Sequence, residues 1–147
     1  HGVRVIEFQT PHYERMIVMF GQKALTQDHW NTEEALAGMK PEVYQPPQPE
    51  LIWQQDGVRC DRVVDFRDFD AFRICVPSGQ RIRLEGKGNY QLLMGVEGYG
   101  QLLVGGESCG TVRHEEGWMI PAVADDCWLE SRGTGDLICL QAIPKSS

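Results

Sequence analysis

The residues of this 147-residue chain that could do chemistry fall into three groups. The first is cationic: Arg81, Arg83 and Lys87 lie close together, with Glu85 among them. A guanidinium offers a planar fork of donors that meets anionic oxygens in pairs, and an ammonium adds a compact point charge. That set suits a small anion or a sugar carrying negative charge. The second group is metal-ligating. Its four histidines are His1, His12, His29 and His114, and residues 73–113 contain none. A zinc site needs about three or four converging N, O or S donors. Arg113-His114-Glu115-Glu116 could supply some of them, or could be a solvated loop. His29 beside Trp30 reads as a packing or capping residue. The third group is aromatic: Trp118 and Trp128 could flank a sugar pocket, or fill the core of a small barrel.

Composition narrows the classes. At 41% hydrophobic and 24% charged, the chain is an ordinary globular domain, long enough to bury a core. Its formal charge of −7 disfavours nucleic acid, which needs basic surface to displace counterions. No apolar run reaches the roughly 18 residues of a membrane span, so no membrane partner is expected. Five cysteines, Cys60, Cys75, Cys109, Cys127 and Cys139, are odd in number and form no CxxC pair. They read as free thiols in a reducing, cytoplasmic compartment.

These groups must be carried by strands. Residues 3–8 (VRVIEF) alternate apolar and polar, as a half-buried strand does. Residues 13–20 (YERMIVMF) fit helix or strand, with β-branched content favouring strand. Asn31-Thr32-Glu33-Glu34 has the form of a capping box, and Ala35, Leu36 and Met39 would line one side of a short helix ending before Pro41. Residues 42–50 (EVYQPPQPE) read as an extended connector. Strands are expected over 59–66, 71–76, 81–85, 90–96, 101–104, 117–120, 127–131 and 136–142, with a polar loop between 104 and 117. Short strands with close Gly, Pro and Asn turns imply an all-β barrel or sandwich.

Residues 90–122 (YQLLMGVEGYGQLLVGGESCGTVRHEEGWMIPA) place an apolar strand, a Gly-rich turn, a second strand, a loop, a glycine, a short strand and a proline in order. That sequence resembles the cupin barrel. The start, Val5-Ile6-Glu7-Phe8-Gln9 and then Tyr13-Glu14-Arg15, resembles the Glu-Ile-Gln strand and Tyr-Arg of the type I phosphomannose isomerases. Glu34-Ala35-Leu36 is similar to the end of the short helix that precedes the last barrel of that family, and Val96-Glu97-Gly98-Tyr99-Gly100, Gly117-Trp118-Met119-Ile120-Pro121-Ala122 and the closing residues 137–144 are similar to its C-terminal cupin. The resemblance implies a double-stranded jelly-roll barrel over 51–147, preceded by an arm over 1–50 that holds a strand and a short helix and packs on the barrel.

It also implies a division of labour. In metal-bearing cupins a strand supplies two histidines and a glutamate; here Glu85, Lys87 and Gln91 stand near those positions, and a lysine repels a divalent ion. No metal is therefore expected in this barrel, and the absent histidines disfavour an iron oxygenase. Zinc would belong to a preceding barrel outside this chain, where it would polarise a sugar oxygen during aldose–ketose isomerisation. Arg15 matches the arginine expected near the sugar phosphate, although its spacing from Glu7 is shorter than the family's. Two functional readings follow: the C-terminal domain of such an isomerase, inactive by itself, or a metal-free cupin that binds a sugar or small anion or serves dimerisation. An exposed strand edge would invite pairing, so a homodimer is expected.

Overall fold

The computed structural model describes residues 5–9, 32–39, 42 and 45–145. The chain divides into two compact units, His1–Pro46 and Pro47–Ser147. In the first, α1 (Thr32–Gly38) carries Glu33 and Glu34 in its first turn, where the helix dipole favours acids. Ala35 is buried, but Leu36 and Met39, expected beside it, are exposed. Of the strand expected over residues 3–8, the described part, 5–8, is not in a strand. The expected strand over 13–20, and the Asn31 cap, lie outside the described residues.

The second unit is all-β. Its ten strands are β1 (Glu50–Gln55), β2 (Val58–Asp65), β3 (Phe69–Val76), β4 (Arg81–Arg83), β5 (Gln91–Glu97), β6 (Tyr99–Val104), β7 (Glu107–Arg113), β8 (Gly117–Ile120), β9 (Cys127–Ser131) and β10 (Leu137–Pro144). They form a six-stranded sheet in the order β1-β2-β3-β10-β5-β8 and a four-stranded sheet in the order β4-β9-β6-β7. The pairing has a simple logic. β6 pairs β7, β5 pairs β8, β4 pairs β9 and β3 pairs β10, all antiparallel. The chain from β3 to β10 is thus one long hairpin, wound up so that β10 also meets β5 and β6 also meets β9. Its tip is Gly105-Gly106, at φ 59° and 84°. A two-residue hairpin needs positive φ at both positions to match strand twist, which glycine allows without a Cβ clash.

The core lies between the sheets. Ile74, Val76, Leu93, Ile120, Leu137 and Cys139 enter from the larger sheet, and Ile82, Leu102, Val112, Cys127 and Leu129 from the smaller. Along β10 the inward set is Leu137, Cys139, Gln141 and Ile143, the period of two that a half-buried strand imposes.

Two strands were not anticipated. The stretch expected to be a polar loop contains β7, of which only Val112 is buried, so no apolar alternation marks it. β1 is exposed along its whole length. Its signal is the turn Asp56-Gly57, both at positive φ, between the paired residues Gln55 and Val58. Asp-Gly between two strands is a strong hairpin marker.

Candidate functional site

A cavity of about 640 Å³ opens at one end of the barrel. Its inner wall includes the core side chains Phe72, Ile74 and Ile143 together with Cys60 and Gln141. Its rim carries Arg81, Arg83, Glu85, Lys87, Trp53 and Trp128. Arg81, Arg83 and Lys87, singled out in the sequence, are therefore brought to one opening, the two arginines by one local rule and the lysine by another.

β4 alternates exposed, buried, exposed, so Ile82 faces the core while Arg81 and Arg83 share the outer face of the strand. β4 is also an edge of its sheet. Both arginines border the cavity from outside rather than projecting from the barrel interior. The Arg81 guanidinium lies 4.5 Å from the centroid of the Trp128 ring. The ring is fixed in turn by its Nε1, which donates to Asp126 Oδ1 at 2.7 Å. A cation over an indole face holds a planar donor fork in place without neutralising it.

Lys87 sits in the turn Gly86-Lys87-Gly88-Asn89, closed by the Asn89 N–H donating to the Gly86 carbonyl at 2.8 Å. Lys87 has φ 51° and Gly88 φ 83°. A left-handed lysine costs roughly 1 kcal/mol, which a glycine there would avoid. The Asn89 amide donates to the Pro144 carbonyl at 3.1 Å and ties the turn to β10.

The three cations at this mouth share it with Glu85 but are ion-paired to no described residue. Arg59, Arg62, Arg113, Arg132 and Lys145 each hold a carboxylate within ion-pair distance. Among the described residues, Arg81, Arg83 and Lys87 have no such partner; Arg67 and Arg73 have none either, but lie off the cavity.

The three positions compared with metal ligands do not converge as ligands. Glu85 and Lys87 are exposed, whereas Gln91 is buried on β5. The Gln91 Oε1 accepts a hydrogen bond from Gln141 Nε2 and is thereby occupied. Among the described residues no three His, Cys, Asp or Glu side chains gather into a possible cation site. This donor set does not fit zinc, whose preferred ligands are imidazole, thiolate and carboxylate. His114, on the bridge to Gly95, has the exposed Glu115 3.4 Å from its Nε2 as its one ionic neighbour among the described residues. Arg15, His1, His12 and His29 lie outside the described residues.

Of the two tryptophans, only Trp128 borders the cavity. Trp118 packs against the core instead, and its ring fills the space over Gly110, where a Cβ would lie 2.5 Å from the ring. Cys60 faces the cavity as a neutral thiol: burial pushes it up to about 11, and nearby Asp61 adds to the shift. Gln141 was overlooked in the sequence, although a glutamine in the inward register Leu137, Cys139, Gln141, Ile143 is a readable anomaly. Trp53 was overlooked because its strand was.

No protein-family model matches the sequence, and no curated protein is similar to it. Solved structures are similar in shape. The mannose 6-phosphate isomerase of Bacillus subtilis superposes with TM-score 0.62 over 79% of this chain and 34% of that one, at 13% identity. An RmlC-like cupin of Shewanella frigidimarina matches with TM-score 0.55 over 74% of this chain and 93% of its own, at 14% identity. A double-stranded β-helix cupin of Methanocaldococcus jannaschii gives TM-score 0.52 over 73% and 93%, at 14% identity. The fold is a cupin fold. This chain spans about a third of the isomerase and nearly the whole of the small cupins. The wound hairpin of β3 to β10 is thus the cupin barrel, and the cavity is the open end of a cupin. No helix among the described residues is long and apolar enough to cross a membrane.

Proposed function

We propose that this cupin binds a small organic anion, a sugar phosphate or sugar acid, at the mouth of its barrel without a metal in that barrel. One observation carries the reading: three cations with no carboxylate partner among the described residues border a cavity of about 640 Å³, a volume within the range of small-molecule sites. Trp128 and Trp53 add faces on which a sugar ring can stack. The strained Lys87 supports the same reading, because backbone strain tends to persist where a side chain serves a ligand.

The likeness to the Bacillus subtilis mannose 6-phosphate isomerase supports a second reading of the same cavity. The chain would be the C-terminal barrel of a longer isomerase-like protein, contributing support and, from its arm, Arg15. Zinc would then be held in the other barrel, and the present chain would not turn over substrate. A homodimer through an exposed edge such as β1, a cytoplasmic location and an arm packed on the barrel belong to the same proposal.

Thermal shift tests the anion reading. Mannose 6-phosphate, a hexuronate and inorganic phosphate are titrated to millimolar concentration. A ligand at a hundred times its Kd stabilises the folded state by about 2.7 kcal/mol, a rise of several degrees. Lys87→Gly relieves the left-handed strain, so its own melting temperature should hold or rise while the ligand-dependent shift shrinks. A wild-type melting temperature that stays flat with all three compounds would remove the proposal.

A further inference from the structure

Gln91 and Gln141, at 2% and 5% exposure, are buried polar residues in a mostly apolar interior that also holds Asp61 and Ser131. They face inward from neighbouring strands, β5 and β10, and bond to one another through Gln141 Nε2 and Gln91 Oε1. Gln141 lines the cavity; Gln91 stands behind it. Gly86, in the Lys87 turn, clears the space for the second amide, since a Cβ there would lie 2.7 Å from Gln91 Nε2.

A buried carboxamide has two donor hydrogens and two acceptor lone pairs, and leaving them unmade is costly. Among the described residues, the Gln141 Oε1 accepts no hydrogen bond. Turning both amides by half a rotation reverses their mutual bond without moving a carbon. The pair can therefore present either an oxygen or an NH2 group to the cavity. A sugar hydroxyl, itself donor and acceptor, matches both states. A bare alkyl chain matches neither, and would leave the carboxamide dry and unpaired.

Resting on the anion-binding reading above, we infer that Gln141 is the specificity-determining residue of the cavity. It selects ligands that carry hydroxyl groups beside their anionic group, and Gln91 is its positioning residue. The work divides by location: the rim cations capture charge, and the amide on the inner wall reads the polyol.

Isothermal titration with three probes tests this: mannose 6-phosphate, hexyl phosphate and inorganic phosphate. The wild type should prefer the sugar phosphate to hexyl phosphate by at least tenfold. Gln141→Met, close in size and without hydrogen-bonding capacity, should bring that ratio near one while leaving inorganic phosphate affinity within twofold. Gln91→Met should also lower the ratio, and Gln91→Glu, which keeps an acceptor for Gln141 Nε2, should restore most of it. Retained inorganic phosphate binding shows that each variant is folded with its rim intact. Should the wild type bind all phosphates without preference, or Gln141→Met keep the wild-type ratio, the inference is overturned while the anion reading stands. Should the wild type bind none of them, the anion reading fails and this inference falls with it.

Discussion

At the scale of single residues, burial decides which side chains can react. The five thiols separate cleanly. Cys109 is exposed, Cys75 is half-buried, and Cys60, Cys127 and Cys139 are buried. Burial pushes Cys60 and Cys127 up to about 11 and Cys139 to about 12. Cys75 is raised by burial and by Asp136, whose Oδ2 lies 3.5 Å from its sulfur. Because the thiolate is the nucleophile, a disulfide reagent at pH 8 should label Cys109 first and Cys75 slowly. The other three should wait for unfolding. Stopped-flow absorbance checks this: Cys109→Ser should delete the fast phase, and a fast phase of three or more thiols would contradict the packing. The same scale separates the cations: Arg59 is engaged by Asp61 at 2.8 Å, whereas Arg81 lies over the Trp128 ring with no carboxylate partner among the described residues.

At the scale of elements, the barrel depends on close backbone crossings. β5 meets the turn just after β7 through Gly95, whose N–H donates to the Glu116 carbonyl at 3.0 Å and whose carbonyl accepts from the Glu115 N–H at 3.2 Å. A Cβ at position 95 would stand 2.2 Å from the Arg113 carbonyl oxygen. Backbone cannot yield as a flexible side chain can, so Gly95→Ala should destabilise the fold by about 1–3 kcal/mol. Gly133→Ala, where the nearest atoms are 3.6 Å away, should stay within about 0.5 kcal/mol of the wild type. Urea midpoints compare the two, and equal midpoints would mean that the crossing is looser than described. This crossing also explains the overlooked β7. Its place comes from pairing with β6 and contact with β5, not from an apolar stripe of its own.

For the barrel unit taken whole, charge ties the end of the last strand to the β2–β3 hairpin. Lys145 Nζ meets Asp65 at 2.5 Å and Asp70 at 3.1 Å, while Arg62 meets Asp65 at 3.4 Å. The Lys145 hydrogen bond, followed by the Arg62 charge, holds the Asp65 carboxyl below its ordinary 3.8. The folded protein thus binds fewer protons than the unfolded chain in that range. This contribution is complete above about pH 4 and is lost as pH falls further. The alkaline side runs the other way. Unfolded thiols ionise from about pH 9, whereas the three buried ones stay protonated to about 11 or 12, so stability falls as pH rises through that window. The raised Lys145 adds to the same loss, which begins as pH passes the ordinary 10.5 of the unfolded lysine and runs on until the folded one deprotonates. Urea midpoints across pH should trace a plateau with both shoulders, and Lys145→Met should flatten the acid one. An acid shoulder unchanged by Lys145→Met would show that the clamp contributes nothing.

What the amino-acid sequence determined by itself was local. The apolar runs that become β3, β5 and β10, glycine turns such as Gly105-Gly106, and the helix signal at Glu33 and Glu34 are written within a few residues, whereas the alternation over residues 3–8 marks no strand in its described part. Each follows from the geometry of the peptide and needs no distant partner. The cation cluster was also legible, since Arg81, Arg83 and Lys87 are neighbours along the chain. Only the tertiary structure decided what surrounds them. Winding β3 to β10 into a nested hairpin, with β2 paired onto β3, brings Cys60, Lys87, Trp128 and Gln141 to one cavity from four separate stretches. The same winding set Trp118 over Gly110 against the core and Trp128 at the rim, and turned Gln91 from a would-be ligand into the partner of Gln141. A cavity is the space left between paired strands, so its walls are chosen by register and sheet closure rather than by any single segment.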